Sequence, residues 1–495
     1  MRSLVIGALA ALSGLVCAIA FDPLALPYAM LVGVAGLLLL LRRLSDAPAW
    51  RVTLVGVVFG VGFMAPLIWW MNAVSSGAFV ALVLAESVFF GLLALALRTV
   101  MRLRGWPVWA AGVWVGFELV RGAFPFTGFP WGRLAHTSID TPFAPYVRLV
   151  GMPGTSAILF IVVAMIVLLI TTDSARVRAQ AVALVVVAVV VGMLLHTGLA
   201  GADGTRRVAA IQGNTPTPFP PWPRGELFDL HIAETERLAE RIEFGEEPRP
   251  DMVLWPETAT DIDPFVDPAA RRVIESLSAR LAAPLLIGGL LDGPTEDTAY
   301  NAGVVWDADG PGDRYVKRKV VPYGEYVPFR RQLGGIVPRF DRDIPRDMLA
   351  GDSPGDLSIA GTVIGDTICW DIAYDGIVRE ALAEGAQMLV VQTSNASFTG
   401  TSQPAQQWKI SRLRAIETGR YVVVPSTNGI SGIADADGKV VALAERETPQ
   451  TLTATVGLAA GTTPALVLSR WIEYALTVVG LLGLVLGRRA NRGER

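Results

Sequence analysis

Three residues stand out for the chemistry they could do together: Glu257, Lys317 and Cys369. Cys369 lies in Gly365-Asp-Thr-Ile-Cys-Trp-Asp371 and is one of 2 cysteines among 495 residues; the other, Cys17, sits in an apolar stretch near the N-terminus. A lone thiol in a long, mixed-polarity segment has no partner for a disulfide there, so it is either inert core packing or a nucleophile. Free cysteine titrates near about 8.5, so a thiol that reacts at neutral pH needs a base and a stabilising cation. Histidine, the usual partner, is scarce. Of the 3 in the chain, His196 falls in an apolar block, His136 in a short loop and His231 in a helix-like segment with no motif around it. That speaks against a Cys–His pair and against Cys/His metal sites. A carboxylate can replace histidine where burial raises its proton affinity, and Glu257 follows Trp255-Pro256 at the end of an apolar run. A lysine can lower a thiol pKa and donate to the oxyanion of an acyl-transfer intermediate. Lys317 opens the run Lys317-Arg-Lys-Val-Val-Pro-Tyr-Gly-Glu325. Taken singly, each residue has a plainer reading: a capping glutamate, a solvated lysine, a packed cysteine.

The elements that must position these side chains begin near residue 206, where continuous apolar runs give way to short strands alternating with amphipathic helices. Strands are predicted at 207–211, 252–255, 284–287, 304–306, 363–368, 388–391 and 421–424, each bounded by Gly, Pro or Asp. Helices are predicted at 226–244, 268–282, 376–384 and 404–419, and Asp435-Ala-Asp-Gly438 is a hairpin turn. The alternation predicts one layered α/β domain.

The rest of the chain is different in kind. Overall, 52% of residues are hydrophobic and the mean hydropathy is +0.46. A spanning helix needs about 20 mostly apolar residues, and such blocks occur near 3–21, 24–41, 52–71, 78–97, 106–123, 153–171, 180–199 and 465–487. Eight spans are therefore expected. The domain division is 1–200 with seven helices, 203–463 outside the membrane, 465–487 as the eighth helix and 488–495 as a tail. Arg42, Arg43, Arg51, Arg98, Arg102, Arg104, Arg176, Arg178 and the arginines after 487 cluster on one side, while 22–23 and 72–77 carry no Lys or Arg. The positive-inside rule places both termini in the cytoplasm and 203–463 on the far side. Glu86 and Glu118 are rare intramembrane acids, functional or helix-pairing, with no role assigned. Phe124, Phe126, Phe129, Trp131 and Phe143 read as interface anchors or as a rim for lipid entry. A net charge of −3 without a basic stripe excludes nucleic acid as a partner.

Glu in Trp-Pro-Glu257, Lys317 ahead of Val-Pro-Tyr-Gly-Glu325, then Cys369 after an apolar strand resembles the nitrilase, or carbon–nitrogen hydrolase, superfamily. Arg412-Leu-Arg-Ala-Ile-Glu-Thr-Gly-Arg-Tyr-Val422 resembles its helix leading into a core strand, where Arg414 and Glu417 are structural. Seven helices before this domain and one after it narrow the resemblance to the apolipoprotein N-acyltransferase family. Gln212-Gly-Asn214, Thr127-Gly-Phe-Pro-Trp131 and Ser426-Thr-Asn-Gly429 support that match. It implies an eight-span polytopic α-helical bundle in the bacterial inner membrane, carrying a nitrilase-like αββα sandwich on the periplasmic side. The implied reaction moves a fatty acyl chain from a membrane phospholipid to the N-terminal amine of a diacylglyceryl-modified lipoprotein, through a thioester on Cys369. Glu257 is then the general base and Lys317 the oxyanion donor. Glu325 is a second carboxylate that orients Lys317, Asp371 is a supporting residue, and Trp222, Trp370 and Phe398 contact substrate. No cofactor or metal is implied. The sequence departs from the family at Trp370 and Asp371, where Tyr and Glu are familiar, at Tyr323 for Phe, and at Ser397 for Trp. Two other readings compete: a membrane-tethered amidase or nitrilase, for which one anchoring helix would suffice, and a non-catalytic scaffold or transporter.

Overall fold

The structure, a computed structural model, describes residues 2–215, 222–333 and 344–493. The chain divides into two compact units, Met1–Thr197 with Thr463–Arg495, and Gly198–Thr462.

The first unit is helical. Helices occupy every apolar block: Arg2–Ile19, Ala29–Arg43, Ala49–Leu67, Ser76–Val100, Trp106–Arg121, Tyr146–Thr171, Ala175–Leu194 and Pro464–Gly493. By length and composition, 5 of the described helices can cross a membrane: Ala49–Leu67, Ser76–Val100, Tyr146–Thr171, Ala175–Leu194 and Pro464–Ala490. The helix Ala29–Arg43 has 15 residues and Trp106–Arg121 has 16. At about 1.5 Å per residue these two fall short of a hydrocarbon core about 30 Å thick. The helix Tyr146–Thr171 starts before its apolar block and is broken at Gly151, whose φ of 66° no helix accommodates. Glu86 and Glu118 are not lipid-facing. Glu86 pairs with Arg121 at 2.9 Å, and Arg121 also donates to the carbonyls of Phe129 (3.1 Å) and Trp131 (2.6 Å). Glu118 accepts from Trp114 Nε1 and the Leu134 amide, each at 2.9 Å. Both acids thus fasten the segment from 129 to 134 to the helices.

The second unit is built on two sheets. Strands are β1 (Ala202–Gln212), β2 (Met252–Leu254), β3 (Leu285–Asp292), β4 (Thr298–Asp307), β5 (Gly310–Val316), β6 (Asp347–Met348), β7 (Asp356–Ile359), β8 (Thr362–Ile368), β9 (Met388–Gln392), β10 (Val422–Val424), β11 (Gly432–Ala434), β12 (Val440–Leu443) and β13 (Gln450–Ala459). One sheet runs β13-β1-β2-β3-β4-β5 with β6 on β4, and the other β12-β11-β10-β9-β8-β7. Each has a parallel centre, β1-β2-β3 and β8-β9-β10, flanked by antiparallel strands. Helices Glu226–Glu243 and Pro268–Leu281 bury Phe228, Leu238, Ile274 and Leu277 against Val253, Trp255 and Ile287 of the first sheet. Helices Asp375–Ala383 and Gln403–Thr418 lie on the second. The layers are therefore helix, sheet, sheet, helix. Local chemistry sets the boundaries. Asp267 caps the amides of Ala269 and Ala270 ahead of Pro268, and the helix Gln403–Thr418 stops at left-handed Gly419.

Candidate active site

Each chemically interesting side chain sits at the carboxyl end of a strand, where open α/β sheets present their binding sites. Strand β2 ends because Pro256 has no amide hydrogen for the ladder, and the chain turns to present Glu257, which is 4% exposed. Along β5 the two-residue period sends Tyr315 and Lys317 to the same, inner face; they are 0% and 1% exposed. Strand β8 runs into Cys369, whose φ of 55° is left-handed. A short 3₁₀ turn, Cys369–Ala373, follows. A non-glycine residue in that conformation is costly, and the surroundings must hold it there. Arg414 supplies the hold. Its guanidinium donates to the carbonyls of Ile372 (2.8 Å) and Ala373 (3.0 Å) and to Asp375 Oδ1 (2.7 Å), and it pairs with Glu417.

The structure brings Glu257, Lys317 and Glu325 into direct contact. Lys317 Nζ donates to Glu257 Oε1 at 2.9 Å and to Glu325 Oε1 at 2.7 Å. Asn301 of β4 donates to the same two oxygens, at 2.7 Å and 3.2 Å. The Ser394 amide holds Glu257 Oε2 at 2.8 Å, and the Val321 amide holds Glu325 Oε2 at 2.7 Å. Each of the four carboxylate oxygens therefore has a donor. Burial alone would push the lysine ammonium down, but Glu257 and Glu325, then Cys369 and Asp371, outweigh it and hold it well above its usual range. Burial, and then the Glu257 charge, push the Cys369 thiol well above its ordinary value, against the pull of Lys317 and the Trp370 amide. At rest the site thus holds a thiol beside an ammonium and two carboxylates.

Asp371, fully buried, does not face this cluster directly. Its Oδ2 accepts from the Tyr315 hydroxyl at 2.8 Å and its Oδ1 from the Lys319 amide at 3.0 Å. It thus ties the segment carrying Lys317 to the turn carrying Cys369. Trp370 donates its indole hydrogen to the Lys319 carbonyl and packs edge-on against Tyr374 at 5.6 Å. Phe398 is half-buried at the end of the turn Ala396–Phe398. Trp222 is half-buried; Pro220 and Pro221 of its loop lie outside the described residues. His231 is a core residue, bonded to the Leu227 carbonyl at 2.7 Å and held neutral by burial, which lowers its pKa to about 4. Among the described residues no group of three or more His, Cys, Asp or Glu is placed to hold a metal ion.

Sequence reasoning missed Asn301, Tyr315 and Gln407, the last of which lies beside the thiol at 3.8 Å. The one available signal for Asn301 is a lone amide directly ahead of the apolar run Ala302-Gly-Val-Val-Trp306. A buried polar group there requires partners.

Residues 13–165 match the family model of the apolipoprotein N-acyltransferase N-terminal domain, and residues 207–463 match that of carbon-nitrogen hydrolase. An apolipoprotein N-acyltransferase of Mycolicibacterium smegmatis is 34% identical, the alignment covering 96% of this chain and 83% of the relative. The chain belongs to the apolipoprotein N-acyltransferase family. Other apolipoprotein N-acyltransferases are more distant: that of Coxiella burnetii is 29% identical, covering 81% of this chain and 79% of its own. That of Methylococcus capsulatus is 28% identical over 98% of this chain and 97% of its own. Among solved structures, a Nesterenkonia amidase from the nitrilase superfamily is 18% identical, covers 56% of this chain and 99% of its own, and has a TM-score of 0.38.

Proposed function

We propose that this apolipoprotein N-acyltransferase family member transfers a fatty acyl chain from a membrane phospholipid to the α-amino group of a diacylglyceryl-cysteine lipoprotein, with Cys369 as the covalent carrier. The observation that carries the reading is the buried Lys317 ammonium shared by Glu257 and Glu325 beside the left-handed, lone thiol. Glu257 takes the thiol proton as sulfur attacks the ester carbonyl. Lys317 and the Trp370 amide stabilise the oxyanion that forms. The carbon–oxygen bond breaks, Glu257 returns the proton to the leaving glyceryl oxygen, and lysophospholipid departs from a thioester. A neutral amine then attacks the thioester carbonyl. Its proton passes to Glu257 and on to the departing sulfur, leaving an amide. Splitting the exchange in two lets two bulky lipids use one pocket in turn. Glu325 orients Lys317, and Asp371 aligns the two chain segments. Trp222, Trp370 and Phe398 are proposed to line the substrate path. Residues 203–463 act outside the cytoplasm, held by the apolar helices in the bacterial inner membrane with both termini inside.

Labelled phospholipid incubated with membranes tests this. The expected result is a fatty acyl mass on the Cys369 peptide, released by neutral hydroxylamine and absent from Cys369→Ala. A wild-type protein that carries no acyl group yet hydrolyses small amides would establish the amidase reading instead.

A further inference from the structure

Among the described residues the thiol hydrogen-bonds to one side chain, and that side chain is uncharged. Cys369 Sγ donates to Gln407 Oε1 at 3.8 Å. Gln407 lies in the first turns of the helix Gln403–Thr418 and is 2% exposed. The same oxygen accepts from Gln403 Nε2 at 2.8 Å, while Gln407 Nε2 donates to Thr393 Oγ1 at 3.0 Å.

The links run in one consistent direction. The Thr393 hydroxyl donates to the Val391 carbonyl at 3.1 Å, so its oxygen can only accept from Gln407. The amide oxygen of Gln407 accordingly faces the sulfur and Gln403 Nε2. On the other branch the Gly429 amide donates to Ser426 Oγ (3.1 Å), Ser426 Oγ to Asn395 Oδ1 (2.9 Å), and Asn395 Nδ2 to Gln403 Oε1 (3.0 Å). A Cβ on residue 429 would lie 2.1 Å from Asn395 Oδ1, so the chain of bonds needs glycine there. Ser426 and Gly429, singled out in the sequence without a task, thus anchor this relay. The segment Thr393–Asn395 also carries the Ser394 amide that holds Glu257. One short stretch after β9 therefore mounts both the base and the thiol's acceptor.

We infer that Gln407 is a positioning residue for the nucleophile, its amide oxygen holding the resting sulfur protonated and in one rotamer, in register with Glu257. An acceptor bonded to a neutral thiol favours that form over the thiolate. The sulfur is thereby kept quiet until an acyl ester and the base engage it together. This inference rests on Cys369 being the acyl carrier. The charged groups facing the sulfur are Glu257 after β2, and Lys317 and Glu325 after β5. Asp371 acts on Lys317, and Asp366 in β8 acts with Asp371 and Glu257 rather than on the sulfur. The helix bearing Gln407 adds Arg414, already neutralised by Glu417 and Asp375.

The test uses the full-length protein in detergent, with Gln407→Met, Gln407→Glu and Thr393→Val. Two quantities are read: the pH dependence of Cys369 alkylation by iodoacetamide, and single-turnover acyl-enzyme formation from phospholipid. In Gln407→Met, alkylation at pH 7 should rise about threefold to tenfold as the neutral thiol loses its acceptor. Acyl-enzyme formation should fall about tenfold or more, with KM for phospholipid unchanged, because a displaced sulfur costs rate rather than binding. Gln407→Glu should move the alkylation profile upward by about one pH unit, since a like charge disfavours the thiolate. Thr393→Val, which removes the far anchor and leaves Gln407 in place, should shift the profile the same way as Gln407→Met but less. It decides the matter if the glutamine variants fail to fold. Profiles that superpose on the wild type overturn the inference. If Cys369 of the wild type never carries an acyl group, the proposed function falls first.

Discussion

Lys317 is a cation sealed away from water, and it is tolerable only because two carboxylates share it. Its neighbours in sequence live in another world. Arg318 faces outward to Glu380, and Lys319 rests its ammonium over the Tyr374 ring at 5.1 Å while only its backbone serves the site. Substitution should separate them sharply. Lys317→Ala is expected to lower acyl transfer by at least about 10²–10³-fold, the scale of a lost oxyanion donor, and Glu257→Gln to abolish it. Arg318→Ala and Lys319→Ala should stay within about threefold of wild type, because the charged end of each is engaged away from Glu257 and Glu325. Mass spectrometry of a lipopeptide acceptor reads all four. An essential Lys319 beside a dispensable Lys317 would place the oxyanion group two residues away.

At the scale of elements, the two sheets enclose an unusual acid. Asp366 in β8 is fully buried, and neither its carboxyl oxygens nor Gln392 Oε1 has a partner among the described residues. Two of them crowd Gly303, where a Cβ would lie 2.2 Å from Asp366 Oδ2 and 2.3 Å from Gln392 Oε1. Burial, then the charges of Asp371 and Glu257, push its carboxyl well above the usual range. A raised folded-state value means that the unfolded chain loses this proton first, from about pH 4 upward. Stability therefore falls as pH rises, by up to about 1.4 kcal/mol per unit until the folded group also ionises. Asp366→Asn removes that dependence and can donate to Gln392. Its unfolding midpoint should gain on wild type between pH 5 and pH 8, and an equal gap at both values would contradict this account. The sequence made the covering helices legible because their caps and amphipathic spacing are local: 226–244 and 268–282 differ from the observed Glu226–Glu243 and Pro268–Leu281 by one residue at their ends. It concealed β5 and β13, whose Gly-Pro-Gly-Asp and Thr-rich runs look like loop and gain strand character only from the strands they pair with. Glu257 could be seen because it closes an apolar run, and Lys317 because it opens the turn-rich run that ends at Glu325. Gln407 could not, because Gln403-Pro-Ala-Gln-Gln407 reads as the wet face of a helix until the fold buries it.

At the scale of the whole molecule, the helical unit turns its rare acids inward. Arg121 meets Glu86 and two backbone carbonyls, so it neutralises a buried charge and pins the chain at Phe129 and Trp131 at once. Arg121→Met should therefore cost about 3–5 kcal/mol, the price of an orphaned buried charge. The loss should exceed that of Glu86→Gln, which keeps both carbonyl bonds; thermal unfolding in detergent compares them, and equal losses would show that the carbonyl bonds contribute nothing. The second unit, for its part, enters on β1 and leaves on β13, and the ladder sets Ala202 opposite Ala459. An insert whose two ends coincide makes no demand on the spacing of the helices it interrupts. A complete hydrolase-like body could thus be spliced into a membrane protein at a single seam, and lengthening or shortening that body would leave the seam undisturbed.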